Sequence, residues 1–132
     1  MHFRFQIILT QGTSTLRERV LDHVASDPRT FFLTTGRLRD SVILCEDADE
    51  ARRNLEWYHS HDTLDPWLGR IALTEHGLVF NQDCGEEARE LMRKFMKWAL
   101  QQLQPCKVVD VDTLEDLTEL TQRDPDGMFD AI

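Results

Sequence analysis

The stretch EEARELMRKFMKWALQQLQPCKVVDV, residues 86–111, decides the fold. Ala88, Leu91, Met92, Phe95, Met96, Ala99, Leu100 and Leu103 recur at three- and four-residue spacing, so they form one apolar stripe along a helix. Glu86 and Glu87 crowd the first turn, where the helix dipole favours carboxylates. Pro105 stops the helix, because proline lacks the amide that a helix interior needs. Cys106 to Val111 then reads as a strand. A long one-faced helix running directly into a strand implies a helix laid across a sheet.

The same reading extends outward. Phe3, Phe5, Ile7 and Leu9 alternate with Arg4, Gln6, Ile8 and Thr10, the period-2 pattern of a strand with one apolar face. After Gln11-Gly12-Thr13, the pair Thr15 and Glu18 has capping-box spacing. It predicts a helix with Leu16, Val20, Leu21, Val24 and Ala25 inward, ended by Asp27-Pro28. Residues 31–34 and 41–45 read as strands joined by a short link through Gly36. Asp47 and Glu50 form a second capping pair, opening a helix to about Tyr58 with Ala48, Ala51, Leu55 and Tyr58 inward. Residues 59–66 read as a polar loop. Residues 70–74 and 78–81 make a hairpin around Glu75-His76-Gly77, with Gly77 available for a positive φ. Residues 113–121 read as a short acidic helix with Leu114, Leu117 and Leu120 inward. Asp124-Pro125-Asp126-Gly127 reads as a turn that frees a mobile tail over about 122–132.

The order β-α-β-β-α-β-β-α-β-α predicts one α+β domain spanning residues 1–132. Its sheet is mixed or antiparallel, with about five to six strands and three to four helices packed mainly on one face. The strand order across the sheet is not legible at this level.

Charge is distributed unevenly. The net charge is −9, yet residues 1–45 and 67–109 are slightly basic. Residues 46–66 hold seven acids and two bases, and residues 110–132 hold eight acids and one base. An acidic balance argues against nucleic acid, since phosphate binding relies on Lys and Arg displacing counterions. It favours a basic protein partner. No apolar run approaches the ~20 residues that span a bilayer. The start has neither a basic leader nor a cleavage site, and the cysteines Cys45, Cys84 and Cys106 are few and scattered. Both points lead to the expectation of a reduced, cytoplasmic protein without a membrane partner.

Catalytic signals are thin. His59-Ser60-His61-Asp62, with Asp65 nearby, is the closest approach to a metal cluster, because histidines two apart on an extended segment point the same way. Zinc-hydrolase spacing would need further ligands at Thr63 and Leu64, so a solvated loop is the simpler reading. There is no Gly-x-Ser-x-Gly elbow and no Gly-rich phosphate loop. The expectation is therefore no cofactor and no catalytic set, with an enzyme built around His59, His61 and Asp62 as the alternative.

Aromatic residues among the acids suggest recognition instead, apolar anchors giving affinity while charge steers the encounter. The expected partner-binding residues are Glu46, Asp47, Asp49, Glu50, Asp62 and Asp65 with Trp57, Tyr58 and Trp67, together with Asp110, Asp112, Glu115, Asp116 and Glu119. In size, acidity and lack of a catalytic motif the chain resembles bacterial immunity proteins, a likeness of general character carried by no residue pattern. It implies a small domain that neutralises a basic toxin by covering its active site. A homodimeric structural or regulatory subunit is the remaining class.

Overall fold

Alternation in the first strand sets the two faces of the sheet. The computed structural model describes residues 4–131, so Phe3 lies outside the described residues. β1 (Arg4–Leu9) buries Phe5, Ile7 and Leu9 on one face and turns Arg4, Gln6 and Ile8 to the other. β2 (Thr30–Leu33), β3 (Ser41–Leu44), β4 (Gly69–Leu73), β5 (Gly77–Asn81) and β6 (Cys106–Asp110) complete an antiparallel sheet of order β2-β3-β4-β5-β1-β6. The single α+β fold is as expected, and β6 is returned to an edge.

Four helices share the first core. α1 (Leu16–Ala25), α3 (Glu86–Gln102), α4 (Thr118–Arg123) and α5 (Pro125–Phe129) contribute residues such as Val20, Met92, Phe95 and Phe129, packed on Phe5, Ile7 and Phe80. α2 (Ala48–His61) is the exception, lying on the opposite face over β2 and β3. It builds a second core from Phe31, Leu33, Ile43, Cys45, Ala51 and Tyr58. β3 is therefore buried on both sides, Val42 and Leu44 toward one core and Ile43 toward the other. An unbroken apolar run is what a doubly covered strand requires. Beyond β3 this second face is bare, carrying Arg70, Ala72, Val79, Gln6 and Val109, none of them fully buried.

Several local expectations are corrected. Thr15 does not cap α1; a short 3-10 turn over Thr13–Thr15 intervenes, and the Thr15 hydroxyl donates to the Gly12 carbonyl. Gly77 has no positive φ. It is needed for close approach, because a Cβ there would collide with the Ile7 carbonyl oxygen of the neighbouring strand. Ala48 faces solvent, whereas Ala51 and Tyr58 point inward. α2 runs to His61, three residues further than its apolar pattern suggests, and closes on Asp62 in the left-handed conformation.

The C-terminal region differs most. Residues 110–117 form a turn bridged between Val109 and Asp116, and the helix begins only at Thr118. Leu114 is 74% exposed at φ 63°, so it does not point inward; Leu117 does. The expected tail is a docked helix. Pro125 opens α5, the Asp124 carboxylate accepts from the Gly127 amide at 3.0 Å, and Met128 and Phe129 are buried. Proline is well suited to the first helical position, which is why a turn signature conceals a helix start here. Arg93 on α3 clamps the helix through Asp126 and Asp130, at 3.3 and 2.5 Å. Among the described residues no helix is long and apolar enough to cross a membrane.

Candidate functional site: an acidic end of the sheet

Strand register gathers the acids. The pairs Leu44↔Gly69, Arg70↔Asn81, Arg4↔Asn81 and Phe5↔Asp110 place the end of β3, the start of β4, the end of β5 and the end of β6 at one end of the sheet. The chain leaving β3 carries Glu46 and the start of α2. The chain entering β4 carries Asp65 and Trp67, and the chain leaving β5 carries Glu86 and Glu87 at the start of α3. Glu46, Glu50, Asp65, Trp67 and Glu87 line one groove of about 410 Å³, with Arg53 and Asn54 of α2 on its wall.

Each of these is positioned by a local device. Asp47 caps α2, its carboxylate accepting from the Glu50 amide at 2.8 Å, while the Glu50 carboxylate reaches back to accept from the Glu46 amide. Asp65 accepts from the Trp67 amide at 2.9 Å, and the Trp67 carbonyl accepts from the Gly85 amide at 2.9 Å. The Trp67 backbone is thus tied on both sides while its ring stays 68% exposed. Among the described residues no ion pair engages Glu46, Glu50, Asp65, Glu86 or Glu87. An adjoining hollow of about 380 Å³ adds Glu86 and Glu90 but also Arg29 and Lys94, so its charge is mixed.

The other expected residues lie elsewhere. Asp49 pairs with Arg52 at 2.9 Å on the outer side of α2. α2 runs away from the acidic end, so Trp57, Tyr58 and Asp62 belong to the opposite one, beside the β2–β3 loop. Tyr58 is only 3% exposed and is no surface anchor. Its hydroxyl accepts from the Leu38 amide and donates to the Thr35 carbonyl, both at 2.8 Å, holding that loop. Asp62 accepts from the Arg37 amide at 2.8 Å. Trp57 is exposed, but stacked on His61 at 3.6 Å.

This geometry also corrects the metal reading. His59 and His61 are helical, and residues two apart on a helix point to opposite sides rather than together. Among the described residues no three His, Cys, Asp or Glu side chains come together as a group able to hold a metal ion. Burial pushes the Cys45 thiol up to about 12 and also raises Cys84 and Cys106, which disfavours the thiolate form.

The second acidic segment shares the end of the sheet but not the groove. β6 stands four strand spacings from β3, roughly 19 Å at about 4.8 Å per strand. Its acids largely build their own loop. Asp110 accepts from the amides of Asp112 and Thr113, Asp112 pairs with Arg4 at 2.7 Å, and Asp116 accepts from the Thr118 amide. Hydrogen bonding from Thr118, its side chain first and its amide second, holds the Asp116 carboxyl below its usual range. Glu115 and Glu119 remain exposed on this margin. Sequence reasoning missed Glu87, read only as a dipole-favoured helix start, because its place beside Glu46 depends on strand order.

No protein-family model, curated protein or solved structure matches the chain.

Proposed function

We propose that the protein binds a more basic protein through the acidic groove at the end of its sheet, and so covers that partner's working surface. An inhibitor of the immunity-protein kind is the most concrete form of this reading. The observation that carries it is the gathering of Glu46, Glu50, Asp65 and Glu87 around the exposed ring of Trp67, with none of these acids in an ion pair among the described residues. Carboxylates held in no ion pair retain their attraction for an incoming cation, and a fixed aromatic ring adds contact area at low entropic cost. At physiological salt the Debye length is about 8 Å. The Asp110–Glu119 margin follows β6, two to four strand spacings (roughly 10–19 Å) from the strands that carry the groove, so it is largely screened from the groove acids.

The test is affinity capture from native lysate followed by binding kinetics at 50 and 300 mM salt. The expected result is a basic partner whose association slows at least about tenfold with salt. The variant Glu46→Lys/Glu50→Lys/Glu87→Lys then abolishes capture, whereas Glu115→Lys/Glu119→Lys preserves it. Capture that recovers no basic protein, or that ignores the groove reversal, overturns the proposal.

A further inference from the structure

We infer that a second hollow, on the other side of the Leu64–Leu68 segment, is the anchor socket of this docking surface. It takes one large apolar side chain carried by a basic segment of the partner. The inference rests on the acidic-docking reading and adds to it the residue type that the partner must insert.

The socket exists because α2 covers only β2 and β3. Where that cover stops, Leu38, Ile43, Leu64 and Leu68 at the border of the second core form an apolar floor. Its far wall is the bare sheet face. Ile43 pairs with Arg70 across β3 and β4, and Arg70 pairs with Asn81 across β4 and β5, so these side chains stand in one row. The volume, about 280 Å³, falls just under the roughly 300–1,000 Å³ of small-molecule pockets, and matches a single bulky side chain better than a free ligand.

Two observations identify what fills it. Two carboxylates and a guanidinium line the socket: Asp65, which also faces the groove, Asp83, which is engaged in an interaction of its own, and Arg70, whose Nε donates to the Ser41 hydroxyl at 3.3 Å. The apolar floor and the carboxylates of the adjoining groove together complement an apolar side chain between lysines or arginines. Asp65 and Leu68 also line the acidic groove, so one short segment separates the two hollows. A side chain seated in the socket would carry its basic neighbours over Glu46, Glu50 and Glu87. The dividing segment is already fixed, since the Leu68 amide donates to the Asp65 carbonyl and the Trp67 carbonyl accepts from Gly85. Binding therefore does not have to order it.

Two blocked synthetic pentapeptides test this on the full-length wild-type chain: Lys-Arg-Phe-Arg-Lys, and the same peptide with glycine in place of phenylalanine. Each is titrated into ¹⁵N-labelled protein at low salt and followed by amide chemical shifts. The phenylalanine peptide is expected to bind at least about tenfold tighter, the scale set by burying one aromatic side chain. It is also expected to shift the amides of Leu38, Leu64, Leu68 and Asn81, which the glycine peptide leaves in place. Equal affinities, or shifts confined to Glu46, Glu50 and Glu87 for both peptides, overturn the socket and leave acidic docking standing. If neither peptide binds, both readings fall.

Discussion

Replacing Phe129 with alanine tests whether the last nine residues belong to the fold. Phe129, the fourth residue from the end of the sequence, is fully buried. Its ring meets Phe5 of β1 edge-on at 6.2 Å, and the guanidinium groups of Arg89 and Arg93 lie 5.2 and 4.8 Å from its centre. Its carbonyl accepts from the buried Gln82 side chain at 2.7 Å. Truncating a phenylalanine in such a site costs about 3–5 kcal/mol, from lost transfer energy and the cavity left behind. That is a large share of the roughly 5–15 kcal/mol by which a domain is stable. With a slope of about 2 kcal/mol per molar urea, the unfolding midpoint should fall by roughly 2 M. Far-UV circular dichroism across a urea gradient measures the shift, and Ala131→Gly, beyond the last helix, serves as the silent control. A loss below about 1 kcal/mol, the range of an ordinary surface change, would refute the docked helix and restore a mobile tail.

Two other predictions follow from the hydrogen bonds and charges. Tyr58→Phe leaves the Leu38 amide and the Thr35 carbonyl without their partner, so it should cost about 1–3 kcal/mol in thermal unfolding; an unchanged melting curve would show that Tyr58 does not hold the β2–β3 loop. Acid should weaken the protein in two stages. Burial against Trp98 and Phe95 lowers the pKa of His23 despite the opposing pull of Asp27, so its contribution is complete above an unfolded value of about 6.5 and is lost as pH falls below it. The carboxyls of Asp27, Asp126 and Asp130 are held low, first by hydrogen bonds from Arg29, Lys97 and Arg93 respectively. Their contribution is present above about pH 3.9 and is lost as pH falls through their folded values. Urea unfolding at pH 7.5, 5.5 and 2.5 should show both losses, with His23→Gln removing the first. Stability that rises on acidification from pH 7.5 to 5.5 would contradict this assignment.

Local pattern carried far in this chain. The stripe from Ala88 to Leu103 forms the buried face of α3, the alternation around Phe5 and Ile7 forms the inner face of β1, and the Asp47–Glu50 pair caps α2. These features need only neighbours three or four residues away. Misreadings arose where one residue type serves two roles. Pro125 fits a turn as well as a first helical position, and Gly77 fits a positive φ as well as a close strand approach. Histidines two apart converge on a strand and diverge on a helix, so His59 and His61 changed meaning when α2 extended past Tyr58.

The candidate site was legible only in parts. Glu46, Glu50, Asp65 and Trp67 stood out as acids and an aromatic ring, but Tyr58 was selected for exposure and is buried, and Glu87 was passed over. The sequence by itself determined the strands and the three longer helices, the cap of α2 and the concentration of net negative charge in two stretches, because these depend on periodicity and composition along the chain. The tertiary structure alone decided that α2 crosses to the opposite face, that Phe129 returns to the core, and that three separate chain segments share one groove. Those outcomes depend on strand order and register, in which residues tens of positions apart are paired by contacts that no local spacing records.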